Sequence, residues 1–168
     1  KELPIDPYWL GYWLGDGHSY SADISVCKRD YKYWDKSNVT FSRVDRTCIS
    51  VRVEEIKYKQ LSTNNLIKNK HIPKEYLRCS IEQRRELLKG LMDSDGSSTK
   101  YGACEFYTSS LRLKDDFLEL ARSLGYACRV RTRQSKLNGV NKKIAYTISF
   151  RSNNGYDIFK LERKAKRD

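Results

Sequence analysis

Residues 9–17 read WLGYWLGDG, and residues 88–96 read LKGLMDSDG. The two nonapeptides align without gaps, and both carry Gly, Asp and Gly at their third, eighth and ninth positions. Their aspartates, Asp16 and Asp95, are 79 residues apart, which is close to half of the 168-residue chain. The repeat predicts two related structural units in one chain.

Each nonapeptide is predicted to form the C-terminal end of a helix. The second helix follows Ser80, whose hydroxyl can cap it, and Glu82 brings a negative charge to its first turn, where it suits the helix dipole. Gly96 can supply the left-handed residue that ends this helix. The first helix is shorter, with Pro7 at or just before its first turn and Gly17 at its end.

The segments that follow each nonapeptide predict strands. Residues 47–53 and 143–151 alternate between apolar and polar side chains, as half-buried strands do. Residues 111–124 predict an amphipathic helix, and the loop at 136–139 joins two strands into a hairpin. The second half therefore reads helix, strand or hairpin, helix, hairpin, and the first half reads the same in abbreviated form. We predict an α+β fold whose sheets carry helices on one face only.

The net charge of the chain favours a polyanionic partner. Lys and Arg total 33 against 21 Asp and Glu, a formal charge of +12, and each neutralised phosphate of a nucleic acid releases counterions. Charge alone does not separate DNA, RNA and an anionic membrane surface. The longest apolar runs are only a few residues, so no membrane span is expected.

The cysteines favour neither a disulfide framework nor a zinc site. The five of them lie more than twenty residues apart, and no two have C-x-x-C spacing. We expect reduced, mostly buried side chains. Because no secretory signal is recognised either, we expect an intracellular protein.

Asp16 and Asp95 are predicted to form a metal site. Gly11 and Gly90 are each followed four residues later by a small residue, which lets two helix backbones approach closely. Packing the two copies together would place both carboxylates at negative helix ends, where only a cation relieves their repulsion. Hard oxygen ligands favour Mg²⁺ or Ca²⁺, and such a site suits phosphodiester hydrolysis. The alternative, that each Asp-Gly merely caps a helix and starts a turn, explains one copy better than two matched copies.

Basic residues on predicted strand faces form the expected nucleic-acid surface. Arg129, Arg131 and Arg133 alternate along one strand and share a face, which suits a β-ribbon in the DNA major groove. Lys28 and Arg29 begin a cluster more typical of phosphate contacts. A solvated strand face without a partner is the alternative. The predicted DNA contacts are Arg129, Arg131, Arg133, Arg151, Arg52, Lys142, Lys136, Lys28 and Arg29.

With these residues the chain resembles the LAGLIDADG homing endonucleases, whose signature matches residues 9–17 and 88–96. The resemblance implies two pseudo-symmetric αββαββα repeats packed through their LAGLIDADG helices, with β-sheets that form a DNA-binding saddle. Two motifs in one chain imply a monomer that cuts double-stranded DNA at a long asymmetric site. Residues 1–79 would be the first repeat, residues 80–151 the second, and residues 152–168 a basic C-terminal tail.

The resemblance also implies catalytic roles. Asp16 and Asp95 match the essential acidic residue of each motif, and Gly15 and Ser94 are assigned to the same metal site. A lysine in each half is expected near the metal: Lys143 matches in the second half, with Lys142 as its rival, and Arg46 stands at the corresponding place in the first. Arginine stabilises charge but cannot act as a base. The expected cofactor is Mg²⁺, with Mn²⁺ able to substitute and Ca²⁺ able to bind without turnover.

The second motif, with residues 121–125 after it, is similar to intein-borne members of the family. The resemblance implies an endonuclease region originally inserted in an intein host protein, acting in the nucleus if the host is eukaryotic. From Asp16 to Arg46 the chain is shorter than from Asp95 to Lys143 by about one helix. Either the first repeat has a truncated helix, or residues are missing from it.

The sequence therefore predicts a site-specific, metal-dependent DNA endonuclease. The alternative is a catalytically inactive nucleic-acid-binding module, such as a maturase-like protein or a decayed homing endonuclease. The two differ in what the aspartates do: in a binding module, Asp16→Asn and Asp95→Asn leave every activity unchanged.

Overall fold

The computed structural model describes residues 1–167, without the side chains of Ser42, Ser135 and Lys142. The helices are α1 (Pro7–Asp16), α2 (Lys28–Tyr31), α3 (Tyr58–Thr63), α4 (Lys74–Leu77), α5 (Ile81–Asp95), α6 (Leu111–Ser123) and α7 (Glu162–Ala165). The strands are β1 (Ile24–Cys27), β2 (Val39–Val44), β3 (Cys48–Val53), β4 (Gly96–Ser98), β5 (Ala103–Thr108), β6 (Arg129–Leu137) and β7 (Val140–Arg151). A 3₁₀ turn spans Gly155–Asp157.

The two repeated motifs end α1 and α5, and both helices begin at side-chain caps. The Asp6 carboxylate accepts from the Trp9 backbone N–H at 3.0 Å, directly before Pro7. Ser80 Oγ accepts from the backbone N–H of Gln83, and Gln83 Oε1 accepts from that of Ser80, both at 3.1 Å. This reciprocal capping box confirms the predicted start of α5 at Ser80.

The helix ends differ from expectation. Gly17 and Gly96 have negative φ values of −76° and −108°, so neither supplies a left-handed residue. Their small size matters instead: a Cβ on Gly96 would lie 2.6 Å from Cε of Met92, and one on Gly17 would lie 2.1 Å from Cδ1 of Trp13. Both glycines leave the helix as extended backbone that runs into a sheet.

Close packing of α1 against α5 forms the centre of the molecule. A Cβ on Gly11 would lie 2.3 Å from the Leu87 carbonyl oxygen, and one on Gly90 would lie 2.0 Å from the Tyr8 carbonyl oxygen. Backbone thus touches backbone, which confirms the close approach predicted from the small residues. Leu10, Trp13, Leu88 and Leu91 are fully buried around this contact.

Two antiparallel sheets flank the helix pair. The first has the strand order β1-β3-β2, and the second β4-β5-β7-β6. The inner face of the second sheet packs on α6, where the rings of Phe106 and Phe117 stack with centroids 4.1 Å apart. The first half has only the single turn α2 at the place of α6, and a lone bridge between Gly17 and Ile24 at the place of the β4–β5 pair. The abbreviation of the first repeat is therefore a truncated helix and a shortened strand.

Residues 152–167, for which the sequence predicted a basic C-terminal tail, are folded against both repeats: Leu161 donates to Asp93 of α5, and Arg163 pairs with Asp30 of α2. Ile158, Phe159 and Leu161 are buried in this segment. The buried Asp93 carboxylate accepts from the backbone N–H groups of Lys160 and Leu161, each at 3.2 Å, and from the Tyr8 hydroxyl at 2.7 Å. Within residues 1–167, no helix is long and apolar enough to span a membrane.

Candidate active site between the central helices

Asp16 and Asp95 are the last residues of α1 and α5, and the helix contact brings their carboxyl groups together. A Cβ on Gly15 would lie 3.3 Å from Asp95 Oδ2, so the absence of a side chain there opens the approach. The two carboxyl groups are close enough for each to affect the pKa of the other. Two acidic groups at paired negative helix ends form a local excess of negative charge.

The pKa values of the two carboxyl groups respond to this crowding. Burial, followed by the charge of Asp95, raises the pKa of Asp16 to about 8. Burial also raises the pKa of Asp95, against the attraction of nearby lysines. Without a bound cation, the pair therefore retains a proton near neutral pH. A divalent cation relieves the same repulsion without that proton.

Lys70 neutralises the end of α1. Its Nζ donates to the Gly17 carbonyl at 2.6 Å and to the Leu14 carbonyl at 3.3 Å, and it lies 4.9 Å from the centre of the Trp13 ring. Burial lowers the pKa of Lys70 to about 8, although Asp95 and Asp16 oppose the change. The ammonium group therefore lies within the field of both aspartates.

Lys164 does the same at the end of α5. Its Nζ donates to three carbonyls, those of Asp93 at 2.6 Å, Gly96 at 2.9 Å and Met92 at 3.1 Å. Burial lowers the pKa of Lys164, and nearby carboxylates oppose the change. Of the two lysines, Lys164 has the larger effect on the pKa of Asp16, and Lys70 the larger effect on that of Asp95. The site thus has a second, approximately symmetric pair of residues.

Each lysine belongs to a segment that is anchored to the opposite repeat. The backbone N–H of Ile72, two residues after Lys70, donates to Asp116 Oδ2 of α6 at 2.8 Å. Arg163, next to Lys164, holds the buried Asp30 of α2 through Nε and through Nη2, the latter at 2.8 Å. Both repeats therefore position both lysines.

Sequence reasoning missed Lys70 and Lys164. They are 94 residues apart rather than 79, so the alignment of the two motifs does not pair them. Lys70 lies in the loop between α3 and α4, and Lys164 lies in α7, whose single turn is too short to show a periodic pattern. One physical argument could have predicted a lysine there: the last carbonyl groups of a helix lack donors within the helix, and a cation that binds them also offsets a carboxylate at the same end.

The structure does not bring Lys143 and Arg46 to the aspartates. Gly96, next to Asp95, pairs with Phe106, which in turn pairs with Ile148 on β7. Lys143 lies five residues before Ile148, about 16 Å along the strand. In the first sheet, Gly17 forms a bridge with Ile24, and Ile24 pairs with Val51. Arg46 lies five residues before Val51 and is therefore about as far from the site as Lys143. Both side chains are exposed, and no hydrogen bond or ion pair described for residues 1–167 joins them to Asp16 or Asp95. Their catalytic assignment stays a prediction that the geometry does not favour.

Ser94 directs its hydroxyl along its own helix. Its Oγ donates to the carbonyl oxygens of Gly90 and Leu91, each at 2.9 Å. Ser94, like Gly15, could therefore bind a metal only through its backbone carbonyl oxygen. No group of three or more His, Cys, Asp or Glu among the described residues is arranged to hold a metal. Two carboxylates completed by backbone oxygens, water and substrate phosphates are nevertheless the ligand set that Mg²⁺ commonly takes.

The outer face of the second sheet carries the predicted arginines. Arg129, Arg131 and Arg133 are exposed and pair with Ser149, Thr147 and Ala145, so all three share one face as predicted. Tyr107 and Glu105 lie on the same face, where Arg131 Nη2 is 3.2 Å from Glu105 Oε1.

The other predicted DNA contacts are distributed around this face. Arg151 donates to the Tyr101 carbonyl at 2.6 Å, and Arg52 pairs with Asp23 on the first sheet. Lys136, Lys28 and Arg29 are exposed, and the side chain of Lys142 lies outside the described residues. Their binding roles stay predictions.

Comparison with known proteins agrees with this arrangement. The sequence profile of the homing endonuclease family matches residues 71–157, just over half of the chain. Over 165 residues, 98% of the chain, the sequence is 39% identical to the replicative DNA helicase DnaB of Mycobacterium intracellulare. The chain spans only 26% of that helicase.

Solved structures of the homing endonuclease I-DmoI share the fold. Mesophilic variants of I-DmoI superpose with a TM-score of 0.59 at 16% identity, over 98% of this chain and 96% of that one. A variant in complex with its target DNA in the presence of Mg superposes with a TM-score of 0.58 at 13% identity, over 88% of each chain. The predicted α+β architecture is confirmed.

Proposed function

The chain belongs to the homing endonuclease family, which makes it a site-specific DNA endonuclease, and from that premise we propose how its site works. Asp16 and Asp95 hold a divalent metal between the ends of α1 and α5. The observation that supports this is the pair of half-buried carboxyl groups with raised pKa values, each next to a helix end.

The metal supplies Lewis acidity and a water of lowered pKa for attack on phosphorus. The remaining work falls to residues of the chain. Lys70 and Lys164 neutralise the helix ends, and their positive charges stabilise the negative charge that builds up on the phosphate. Because their hydrogen bonds to carbonyls fix both ammonium groups in advance, little reorganisation is needed as charge develops.

Mg²⁺ is the proposed metal, with Mn²⁺ able to replace it and Ca²⁺ able to bind without turnover. Oxygen ligands and a mainly aqueous coordination shell favour Mg²⁺. The I-DmoI complex formed in the presence of Mg supports the choice for this fold.

Double-stranded DNA is the proposed partner, bound by one copy of the chain across the outer faces of both sheets. The exposed arginines of the second sheet and the net charge of +12 support this. The similarity to a region of a DnaB helicase supports an origin as the endonuclease part of an intein in such a host. The two sheets differ in length and in basic residues, which favours an asymmetric target.

A cleavage selection tests this proposal. A randomised duplex library is incubated with Mg²⁺ and the wild-type protein, and the cut ends are sequenced. Asp95→Asn is compared with Asp115→Asn, the same substitution at an exposed position of α6. We expect cut ends around one long asymmetric motif with wild type and Asp115→Asn, and none with Asp95→Asn or without Mg²⁺. Salt-sensitive retention of duplexes with no cut ends from any protein would instead indicate the binding module.

A further inference from the structure

A cavity of about 330 Å³ lies beside the active site, at the start of β4. Three arginines contribute to its wall, Arg29 from the first repeat and Arg163 and Arg167 from the C-terminal segment, together with Ser97 and Ser98. None of its described lining residues is acidic. The cavity therefore joins basic groups from both repeats at one place.

Two of the cationic groups at this cavity already have strong partners. Arg163 is held by the Asp30 carboxylate, and Lys164 donates to three carbonyls at the end of α5. Arg29 is exposed, and Arg167 makes one weak contact, from Nη2 to Cys104 Sγ at 3.7 Å. Arg29 and Arg167 thus supply the positive charge that a ligand would meet.

Two buried donors at the cavity lack an acceptor. Arg167 Nε and Ser98 Oγ are both buried from solvent without a hydrogen-bond partner. Buried polar groups in folded proteins are nearly always paired, because an unpaired one loses its hydration without compensation. Donors without acceptors, beside guanidinium groups that no described carboxylate of the lining compensates, favour an anion over a neutral group.

A phosphate group fits these requirements. It offers several acceptor oxygens around one centre, and guanidinium groups bind it with charge-assisted hydrogen bonds. Ser97 lies on the outer face of the second sheet, where it pairs with Glu105. It follows Asp95 by two residues, about 7 Å along extended backbone, and successive nucleotides of one DNA strand rise about 3.4 Å each. The cavity is therefore within one or two nucleotides of a phosphate at the aspartates.

We propose that this cavity binds a backbone phosphate of the DNA, adjacent to the phosphate that is cut, on the side of the second repeat only. The inference rests on the proposed function and names a contact within it. At the corresponding place after α1 the chain has His18 and Ser19, and Asn69 and His71 flank Lys70. The pocket beside His18 is lined by Arg43 and also by Asp45, and Arg112 donates to Asn69 Oδ1 at 3.0 Å. Because a carboxylate shares the pocket on that side, a phosphate would meet less uncompensated positive charge there than in the cavity at β4.

Binding of duplex DNA in Ca²⁺ tests this without cleavage. We compare wild type with Ser98→Ala and Arg167→Gln, and use Arg85→Gln, an exposed arginine of α5, as the matched control for lost charge. Wild type and control should bind alike. Both cavity variants should bind about 5- to 10-fold more weakly, and Arg167→Gln should reduce the slope of log K against log salt by about one.

Ser98→Ala is the sharper variant, because removing an unpaired hydroxyl from an empty cavity does not weaken DNA binding. Melting temperatures with and without inorganic phosphate identify the source of the anion and confirm that each variant folds. Phosphate stabilisation of wild type alone, with DNA binding unchanged in both variants, would indicate an adventitious ion only and overturn the proposal. Unchanged binding and melting in both variants would overturn it as well. If wild type itself fails to bind duplex DNA, the proposed function fails with it.

Discussion

At the scale of single residues, burial disfavours the ionised forms of Asp16 and Asp95. The ordinary pKa of Asp16 is 3.8, and burial beside Asp95 raises it to about 8 in the folded protein. An acidic group whose pKa is higher in the folded state favours folding while it is protonated. Its contribution is complete below pH 3.8 and is lost as the pH rises through about 8.

We therefore expect metal-free wild type to lose stability relative to Asp16→Asn between pH 5 and pH 8. Each kcal/mol of difference shifts the melting temperature by about 2–4 °C in a protein of this size. Melting curves in EDTA across this range measure the effect, and added Mg²⁺ should restore wild type at pH 8. Asp115→Asn should follow wild type throughout. A difference between wild type and Asp16→Asn that does not change with pH would contradict the assigned pKa.

The lysines lead to a second prediction. Replacing Lys70 or Lys164 with Met removes a fixed charge next to the aspartates, and we expect cleavage to slow by about 10²- to 10³-fold. Because Lys70 lies at the end of α1 and Lys164 at the end of α5, each variant should slow one strand more than the other and accumulate nicked plasmid. Gel assays on a supercoiled plasmid with the selected site measure both forms.

Lys143→Met and Arg46→Met are the matched comparisons for this experiment. If they slow cleavage more than Lys70→Met and Lys164→Met do, the sequence-based assignment is right and the geometric one is wrong. The sequence could identify the aspartates because they repeat at a fixed offset within a motif. It could not identify Lys70 and Lys164, since only the three-dimensional path of a loop and of the single-turn helix α7 brings them to the ends of α1 and α5.

At the scale of elements, the contact between α1 and α5 depends on Gly11 and Gly90. Gly90→Ala would place a methyl group 2.0 Å from the Tyr8 carbonyl oxygen, and backbone on both sides leaves it no room. Although Ala is the better helix former, we expect a loss of about 3 kcal/mol or more, the upper range for overpacked cores. Urea unfolding measures it, and the exposed Arg85→Ala on the same helix should change stability by less than about 0.5 kcal/mol. A Gly90→Ala protein as stable as wild type would show that the helices can separate freely.

The elements that the sequence predicted well are those with a strong local pattern. The caps and apolar spacing of α5 and the alternation of β3 and β7 are visible in the chain. The 3₁₀ turn and α7 have no such pattern, since they are too short for periodicity, and they are held by the buried Phe159 and by contacts with Asp93. Their place is decided by tertiary packing, which a local pattern does not record.

At the scale of the whole molecule, basic residues are divided between a strand face and helix ends. Arg133 lies on the exposed face of the second sheet, whereas Lys28 begins the single turn α2. We expect Arg133→Ala to reduce the preference for one base at one position of the target by about 1–3 kcal/mol. We expect Lys28→Ala to weaken binding to all sequences alike and to reduce the slope of log K against log salt by about one. Repeating the cleavage selection and titrating binding against salt distinguishes the two effects. A uniform loss from Arg133→Ala would assign that arginine to phosphate contact.

The crossed anchoring of the two lysine segments limits how this enzyme can be recombined. A hybrid that takes its N-terminal half from one relative and its C-terminal half from another must keep two contacts. The Asp116 carboxylate must still reach the backbone N–H at position 72, and Arg163 must still pair with Asp30. A hybrid that loses one of these contacts would keep both aspartates, but the ammonium group of Lys70 or Lys164 would no longer be held at its helix end. Exchange of specificity between relatives is therefore constrained by these two anchors as well as by the DNA-facing strands.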